Sequence, residues 1–485
     1  MFRIQKPSVS CLVGFGIALI YFAFLPPAIY SIDEDAMVYV AESILTKGNF
    51  SVPSSLGRLG RDGNYYSHWY PLLSFLALPF VLMGAIVAKV AQLPLHYVAS
   101  VSSLLLNSLL TSGTSMLIMM LSMRLGSAQK DACICALSFA FGTIAVVYTR
   151  TFFAEPLLAF LTIAGFYSNL FDTKKRVILT ALFSGLAVLA KPTGMILGII
   201  FSAYGIMKKR PLLVSLLPFL GMLCGIFLYG IYNYVRFGDL LFTGEPLVFN
   251  LQLIPLGFLG LLASPGRGLF WYCPPIILSF IVAFHQLLKS KIKIEAGFIL
   301  LIFFAFLLLY SPWKDWSGGW SWGPRYLYPT LPLLMAIIGT AGKAVRKKLI
   351  ILTLVGFILN VPTLISFYGR YYAEAGVKEI DEKQLLWVLE KSPLIHSWDI
   401  ASRQIKDAVH TDIKQLMREA ISRNDEQVFT INNSPALKII TLWWWVLPAI
   451  NVSRWIGIMS ACILAIAGAI FIIKALQYSE RISPT

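Results

Sequence analysis

Apolar stretches of about twenty residues recur along the whole chain, near 9–30, 97–122, 132–149, 153–171, 177–190, 193–207, 211–232, 270–288, 294–312, 326–342, 349–367 and 455–475. An α-helix rises about 1.5 Å per residue, so about twenty such residues cross a hydrocarbon core about 30 Å thick. In lipid the backbone must satisfy its own hydrogen bonds, which leaves helices or closed barrels as spanning structures. Composition agrees: the chain is 57% hydrophobic and 13% charged, with a mean hydropathy of +0.73. A soluble domain carries about 25% charged residues. The expectation is an all-α polytopic membrane protein with about twelve transmembrane helices. The first stretch, "VSCLVGFGIALIYFAFLPPAIY", lacks an A-x-A-like end and reads as a retained helix rather than a cleaved signal peptide.

A net charge of +16 would suit nucleic acid, but its distribution argues against that partner. Lys and Arg come in small groups between apolar runs: "KKR" at 174–176 and 208–210, "KSKIK" at 289–293 and "RKK" at 346–348. That is the pattern of cytoplasmic loops. All four groups fall on one side only if the further apolar run "PLLSFLALPFVLMGAIVA", residues 71–88, does not cross. It is therefore expected to be re-entrant or juxtamembrane, within an external first loop spanning 30–96, with both termini cytoplasmic. The six cysteines all lie in apolar segments and read as packing residues.

With that topology the external face receives isolated charges at helix mouths. "YSIDEDAMVYVAESIL" sets Asp33, Glu34 and Asp35 directly after the first span. Acids in a first helical turn cap the backbone and meet its dipole, but capping needs one acid, not three. A carboxylate beside a cationic pocket can instead act as a general base. Three arginines share a Gly/Pro-rich setting on the same face: Arg236 in "NYVRFGDLLFTGEP", Arg267 in "SPGRGLFWY" and Arg325 in "WSWGPRYLYP". Such surroundings let a phosphate approach closely and be gripped bidentately; the plainer alternative is snorkelling to the interface. Aromatics crowd this face too, chiefly as an interfacial belt, with Trp320, Trp322 and Tyr66 as candidates to stack on a sugar ring. No Walker-type phosphate loop occurs. No cofactor is indicated; paired acids would accommodate a divalent metal, but nothing in the sequence requires one.

These segments resemble a known family. "DEDAMVYVAESILTKGNFSVP" matches the first external loop of the lipid A aminoarabinose transferases, and "FFAEPLLAF" and "LAVLAKPTG" are similar to the family's second acidic motif and its lysine step. "NYVRFGDLLFTG", "SPGRGLFWY" and "GGWSWGPRYLYPTLPLL" look like a bacterial branch of the same group. The chain thus resembles, over about residues 9–340, the polyprenyl-phosphate-sugar-dependent glycosyltransferases of the C superfamily, which include the protein O-mannosyltransferases. The resemblance implies that Asp33 is the catalytic base, with Asp35 as the alternative. It also implies that Glu155 is a second acid and Lys191 a lysine touching the lipid phosphate. It departs at "YSHWYP", where relatives often have Lys before the Pro and this chain has His68 two residues earlier than usual, which puts that phosphate contact in doubt.

Residues 1–367 are expected to form the transmembrane core, 368–440 an external insert, and 441–485 the last helix with a cytoplasmic tail. In the insert, Ile400, Ile405, Val409, Ile413, Leu416 and Ile421 recur at roughly helical spacing, as in an amphipathic helix lying on the membrane or capping a cavity. The combined expectation is an inverting membrane glycosyltransferase of the bacterial plasma membrane. It would pass a sugar from a polyprenyl-phosphate donor to a lipid, glycan or protein acceptor at the external face. A lipid-linked sugar flippase or transporter, or a glycan polymerase or ligase, is the alternative.

Overall fold

A computed structural model describes residues 8–245, 248–377, 380–416 and 439–481. In chain order the helices of the first half are α1 (Val9–Ala23), α2 (Ile32–Lys47), α3 (Pro71–Ala91), α4 (Leu95–Arg124), α5 (Gln129–Gly142), α6 (Ala145–Tyr148), α7 (Glu155–Asn169), α8 (Lys174–Ala190), α9 (Met195–Met207) and α10 (Leu212–Phe237). There follow α11 (Ile254–Ala263), α12 (Leu269–Tyr272), α13 (Ile276–Lys289), α14 (Lys293–Tyr310), α15 (Leu331–Ile338), α16 (Lys343–Asn360) and α17 (Pro362–Ile365). The insert contributes α18 (Gly369–Val377), α19 (Glu382–Trp387) and α20 (Pro393–His410), and α21 (Arg454–Arg481) is last. The one sheet among the described residues is a two-residue antiparallel pair, β1 (Arg58–Leu59) with β2 (Tyr65–Tyr66).

Among the described residues, six helical segments are long and apolar enough to cross a membrane: Pro71–Ala91, Leu95–Arg124, Leu212–Phe237, Lys293–Tyr310, Lys343–Ile365 and Arg454–Ser479. Shorter apolar helices stand beside them, Val9–Ala23 and Ile276–Lys289 among them. The chain is a multi-pass helical membrane protein. Prolines and glycines divide several of the expected spans. The run at 270–288 breaks at Cys273-Pro274-Pro275 between α12 and α13, and 326–342 opens with a 3-10 turn, Arg325–Thr330. Where helices cross closely, glycine removes the obstacle. A Cβ on Gly16 of α1 would lie 2.7 Å from the Gly468 carbonyl oxygen of α21, and one on Gly468 would lie 2.5 Å from that of Gly16.

The four basic groups meet at one end of the bundle. Arg210 pairs with Asp172 at 2.8 Å, Lys208 with Glu295 at 2.7 Å and Arg346 with Asp131 at 2.7 Å, while Arg124 and Arg176 both lie over the Phe171 ring. Glu155, Lys191 and Arg325 sit at the opposite ends of their helices. Helix α3 is itself long enough to cross, yet it forms a hairpin with the N-terminal part of α4, and both arms are tied to α2. Ser74 of α3 donates to the Met37 carbonyl at 2.8 Å, and His96 of α4 bonds to Asp35 and Glu42.

The amphipathic helix of the insert exists as α20, but its packed face differs from the expected one. Leu394, Ser397, Ile400, Ala401, Gln404 and Ala408 are buried, whereas Ile405 and Val409 are 38% and 65% exposed. Small residues let this face close on α17 and α18, and Gln404 donates to the Ile439 carbonyl at 2.6 Å. The helix ends at His410, so Ile413 and Leu416 belong to a separate turn; Ile421 lies outside the described residues.

Candidate functional site

Helix α2 begins with a capping box. The Ser31 hydroxyl accepts from the Asp33 N–H at 3.3 Å, and Glu34 Oε2 accepts from the Tyr30 and Ser31 N–H groups at 3.1 and 3.2 Å. The other Glu34 oxygen accepts from the Phe152 N–H at 2.8 Å, which ties α2 to the loop leading into α7. Burial pushes the Glu34 carboxyl up to about 7. Both its oxygens accept from backbone N–H groups, so Glu34 serves as a cap. Asp35 points the other way, with Oδ1 2.7 Å from His96 Nε2, and it too lies outside the site. The three acids of the expected catalytic set thus meet different surroundings. At 100° per residue, three successive helical side chains must face three directions.

Asp33 is the acid left over. It is half-buried, and its carboxylate makes no hydrogen bond or ion pair among the described residues. Burial raises its proton affinity, against the pull of Arg325, His68 and Lys191; Glu155 adds to the rise. Around it the chain assembles the other expected groups. Glu155, the first residue of α7, pairs with Lys191 at 2.8 Å, where the break before Pro192 interrupts the path from α8 to α9. The Lys191 ammonium lies 4.7 Å above the Tyr326 ring, which stacks on Tyr310 at 4.4 Å. Arg325 lies over the rings of Phe153 and Tyr326 at 5.2 and 5.1 Å. Its Nη2 reaches the Tyr326 hydroxyl at 3.4 Å, its Nε has no partner, and no carboxylate among the described residues pairs with it.

A cavity of about 1220 Å³ opens in front of Arg325. One wall is apolar, with Val188, Ile196, Ile199, Ile226, Phe227 and Leu241 from α8 to α10 and the turn beyond. Ile199, Phe227 and Leu241 are also 52%, 66% and 88% exposed, so this wall continues onto the lipid-facing surface. The polar end carries His68, Arg325, Tyr326, Asp315, Trp320 and Glu382. Burial lowers the proton affinity of His68, which favours a neutral imidazole. Trp320 is 45% exposed and stacks on Tyr372. The insert thus lines the cavity: Gly266 donates to the Leu386 carbonyl at 3.0 Å and Ser317 to Glu382 at 2.9 Å.

The other expected contact residues are engaged within the chain. Arg267 lines the cavity, but four of its five N–H groups are engaged, by the carbonyls of Ser317, Gly266 and Gly319 and by the Tyr372 hydroxyl. Arg236 is fully buried; it donates to the Ser67 and Tyr232 carbonyls and to Asn233 Oδ1, and it lies 3.8 Å over the Tyr232 ring. Both hold loops in place and have little left for a phosphate. Trp322 is 1% exposed with its indole N–H on Asn360, and the Tyr66 hydroxyl donates to Asp62. Neither lines the cavity. The sequence missed Tyr310 and Tyr326 around Lys191, although "YLYP" beside Arg325 was a usable signal. Among the described residues no group of three or more His, Cys, Asp or Glu is placed to hold a metal ion.

No family model matches the chain, and no curated protein sequence matches it. The structure does find likenesses. The chain has the fold of ArnT from Cupriavidus metallidurans. The match to the form of ArnT bound to undecaprenyl phosphate has a TM-score of 0.51 at 14% identity, covering 94% of this chain and 76% of that one. This exceeds residues 9–340, so the common architecture continues past the point where sequence resemblance fades. The Archaeoglobus fulgidus oligosaccharyltransferase AglB, solved with an inhibitory peptide and a dolichol-phosphate, matches at a TM-score of 0.44 and 11% identity, over 93% of this chain and 63% of that one.

Proposed function

We propose that the chain is a membrane glycosyltransferase. It takes a sugar from a polyprenyl-phosphate donor and passes it to an acceptor at the cavity-bearing face, the external face of a bacterial plasma membrane. The observation that carries this is Arg325, a guanidinium without a carboxylate partner that lies at the polar end of a cavity whose other wall runs out into lipid. A ligand suited to both ends is an anion on a long hydrocarbon chain. The likeness to ArnT, solved with undecaprenyl phosphate, supports the same choice.

In this reading the prenyl chain lies along Ile199, Phe227 and Leu241, and the phosphate meets Arg325. Asp33 takes the proton from the acceptor hydroxyl or amine as that group attacks the anomeric carbon. The bond from that carbon to the phosphate oxygen breaks, and its electron pair leaves with the polyprenyl phosphate, inverting the centre. Arg325 neutralises the charge that develops on the leaving group, with Lys191 behind it held by Glu155. Burial makes Asp33 a stronger base than a solvated carboxylate, in the direction its role needs.

The test is transfer by the purified chain in nanodiscs, with polyprenyl-phosphate sugars and a membrane acceptor extract. Asp33→Asn is expected to lower the rate by about 10²–10⁴-fold without lowering the melting temperature. Donor consumption equal to wild type in Asp33→Asn would refute the assignment of the base. Movement of the lipid-linked sugar between leaflets without transfer would favour the flippase.

A further inference from the structure

Asp35, Tyr39 and Glu42 follow one another at spacings of four and three, and so form one stripe along α2. All three meet a single imidazole from the first turn of α4. His96 places Nε2 2.7 Å from Asp35 Oδ1 and Nδ1 2.9 Å from Glu42 Oε2, and its ring lies flat on Tyr39 with centroids 3.7 Å apart. A neutral imidazole has one N–H and would turn a bare lone pair towards one of the two carboxylates. With both carboxylates ionised, a ring bonded to both carries two protons, and as a cation it also suits the face of Tyr39. Among the described residues the ionisable groups facing the ring are these two carboxylates and the Tyr39 phenol. Helix α4 adds the Ser100 hydroxyl at 3.4 Å from Nε2.

We propose that His96 is a proton-dependent clamp that fixes α2 against the α3–α4 hairpin and thereby positions Asp33, two residues from the clamped Asp35. As a device for placing a catalytic base, it rests on the function proposed above. The clamp itself does not. Asp35 is buried, and its second oxygen has no partner. Loss of the imidazolium charge would leave that carboxylate in a dry site with nothing to offset it. Of the other ties on α2, the Ser74 bond to Met37 does not titrate, and the Glu34 bonds hold only the first turn. Deprotonation of His96 would therefore loosen α2 at alkaline pH while the rest of the bundle stays folded.

Two measurements on the wild-type chain in nanodiscs test this, and neither needs a substrate. Nitrogen-15 shifts of labelled histidine, with His96→Gln for assignment, are expected to show both His96 nitrogens protonated at neutral pH. Amide hydrogen exchange, corrected for intrinsic rates, is expected to show protection in residues 33–42 falling by about tenfold or more from neutral to alkaline pH, with α7 and α14 unaffected. His96→Gln should show the low protection at every pH, and its turnover should fall with undecaprenyl phosphate affinity unchanged. A bare His96 nitrogen at neutral pH, or α2 protection that ignores pH, overturns the clamp. Absence of transfer by the wild type would overturn the proposed function and leave the clamp standing on the first two readouts.

Discussion

Arg150, Arg236, Arg267 and Arg325 lie at the same end of the molecule, and they fall into two regions. Arg150, Arg236 and Arg267 form a shell of fasteners. Arg150, for example, donates to the carbonyls of Phe24, Thr363 and Thr441, joining three distant segments. Arg325 stands in the corner with Asp33, Lys191 and His68, and its Nε has no partner. A guanidinium whose donors are saturated by carbonyls belongs to the scaffold; one left open beside a cavity is ready for a ligand. The corner can hold open groups because the shell around it is closed, with Gly318 and Gly319 in the left-handed region where Arg267 grips their loop.

The comparison breaks most sharply at the fasteners. Arg236→Met should cost about 3 kcal/mol or more of stability, because the Ser67 carbonyl and Asn233 Oδ1 lose their donors in a buried place. Chemical denaturation would check it. A stable Arg236→Met chain that failed to bind lipid phosphate would move Arg236 from the shell into the corner.

A smaller effect sharpens the split within the acidic triplet. Glu34 is raised from 4.5 to about 7 in the folded chain, so the folded state holds a proton that the unfolded state has released. Stability is then fully present below about 4.5 and declines as pH rises through about 7, by at most about 3 kcal/mol. Glu34→Gln should remove most of that slope, and Asp33→Asn, whose carboxyl is raised in the same direction, the remainder. Thermal melts across that range would show it; a slope unchanged by both substitutions would mean that other groups titrate there.

The smallest effect is expected on α20. Val409→Ser should change stability by less than about 0.5 kcal/mol, since Val409 is 65% exposed, whereas Ala408→Leu one residue away should overpack a buried face. Equal costs in denaturation would mean that the apolar pattern of the insert outweighs its packing.

The fold class was legible because membrane crossing depends on local properties, length and apolarity, that a single chain displays. The clustering of charge at one end was legible too, through the basic loops. The division of labour was not. Glu34 meets Phe152, Asp35 meets His96 and Arg236 meets Ser67, partners 118, 61 and 169 positions away. Adjacent residues of one sequence run were thus assigned to different tasks by contacts that no local pattern encodes. Trp322 and Trp320 make the same point: two residues apart, one is sealed in the core and the other faces the cavity.

The central claim is that the open corner, and not the fastened shell, receives the lipid phosphate. Undecaprenyl phosphate affinity of the chain in nanodiscs, wild type against Arg325→Gln, tests it most directly. The account predicts that binding weakens by about tenfold or more, as for loss of one charge-assisted contact, with the melting temperature unchanged. Undiminished binding by Arg325→Gln would contradict it and would send the search for the phosphate site elsewhere in the cavity.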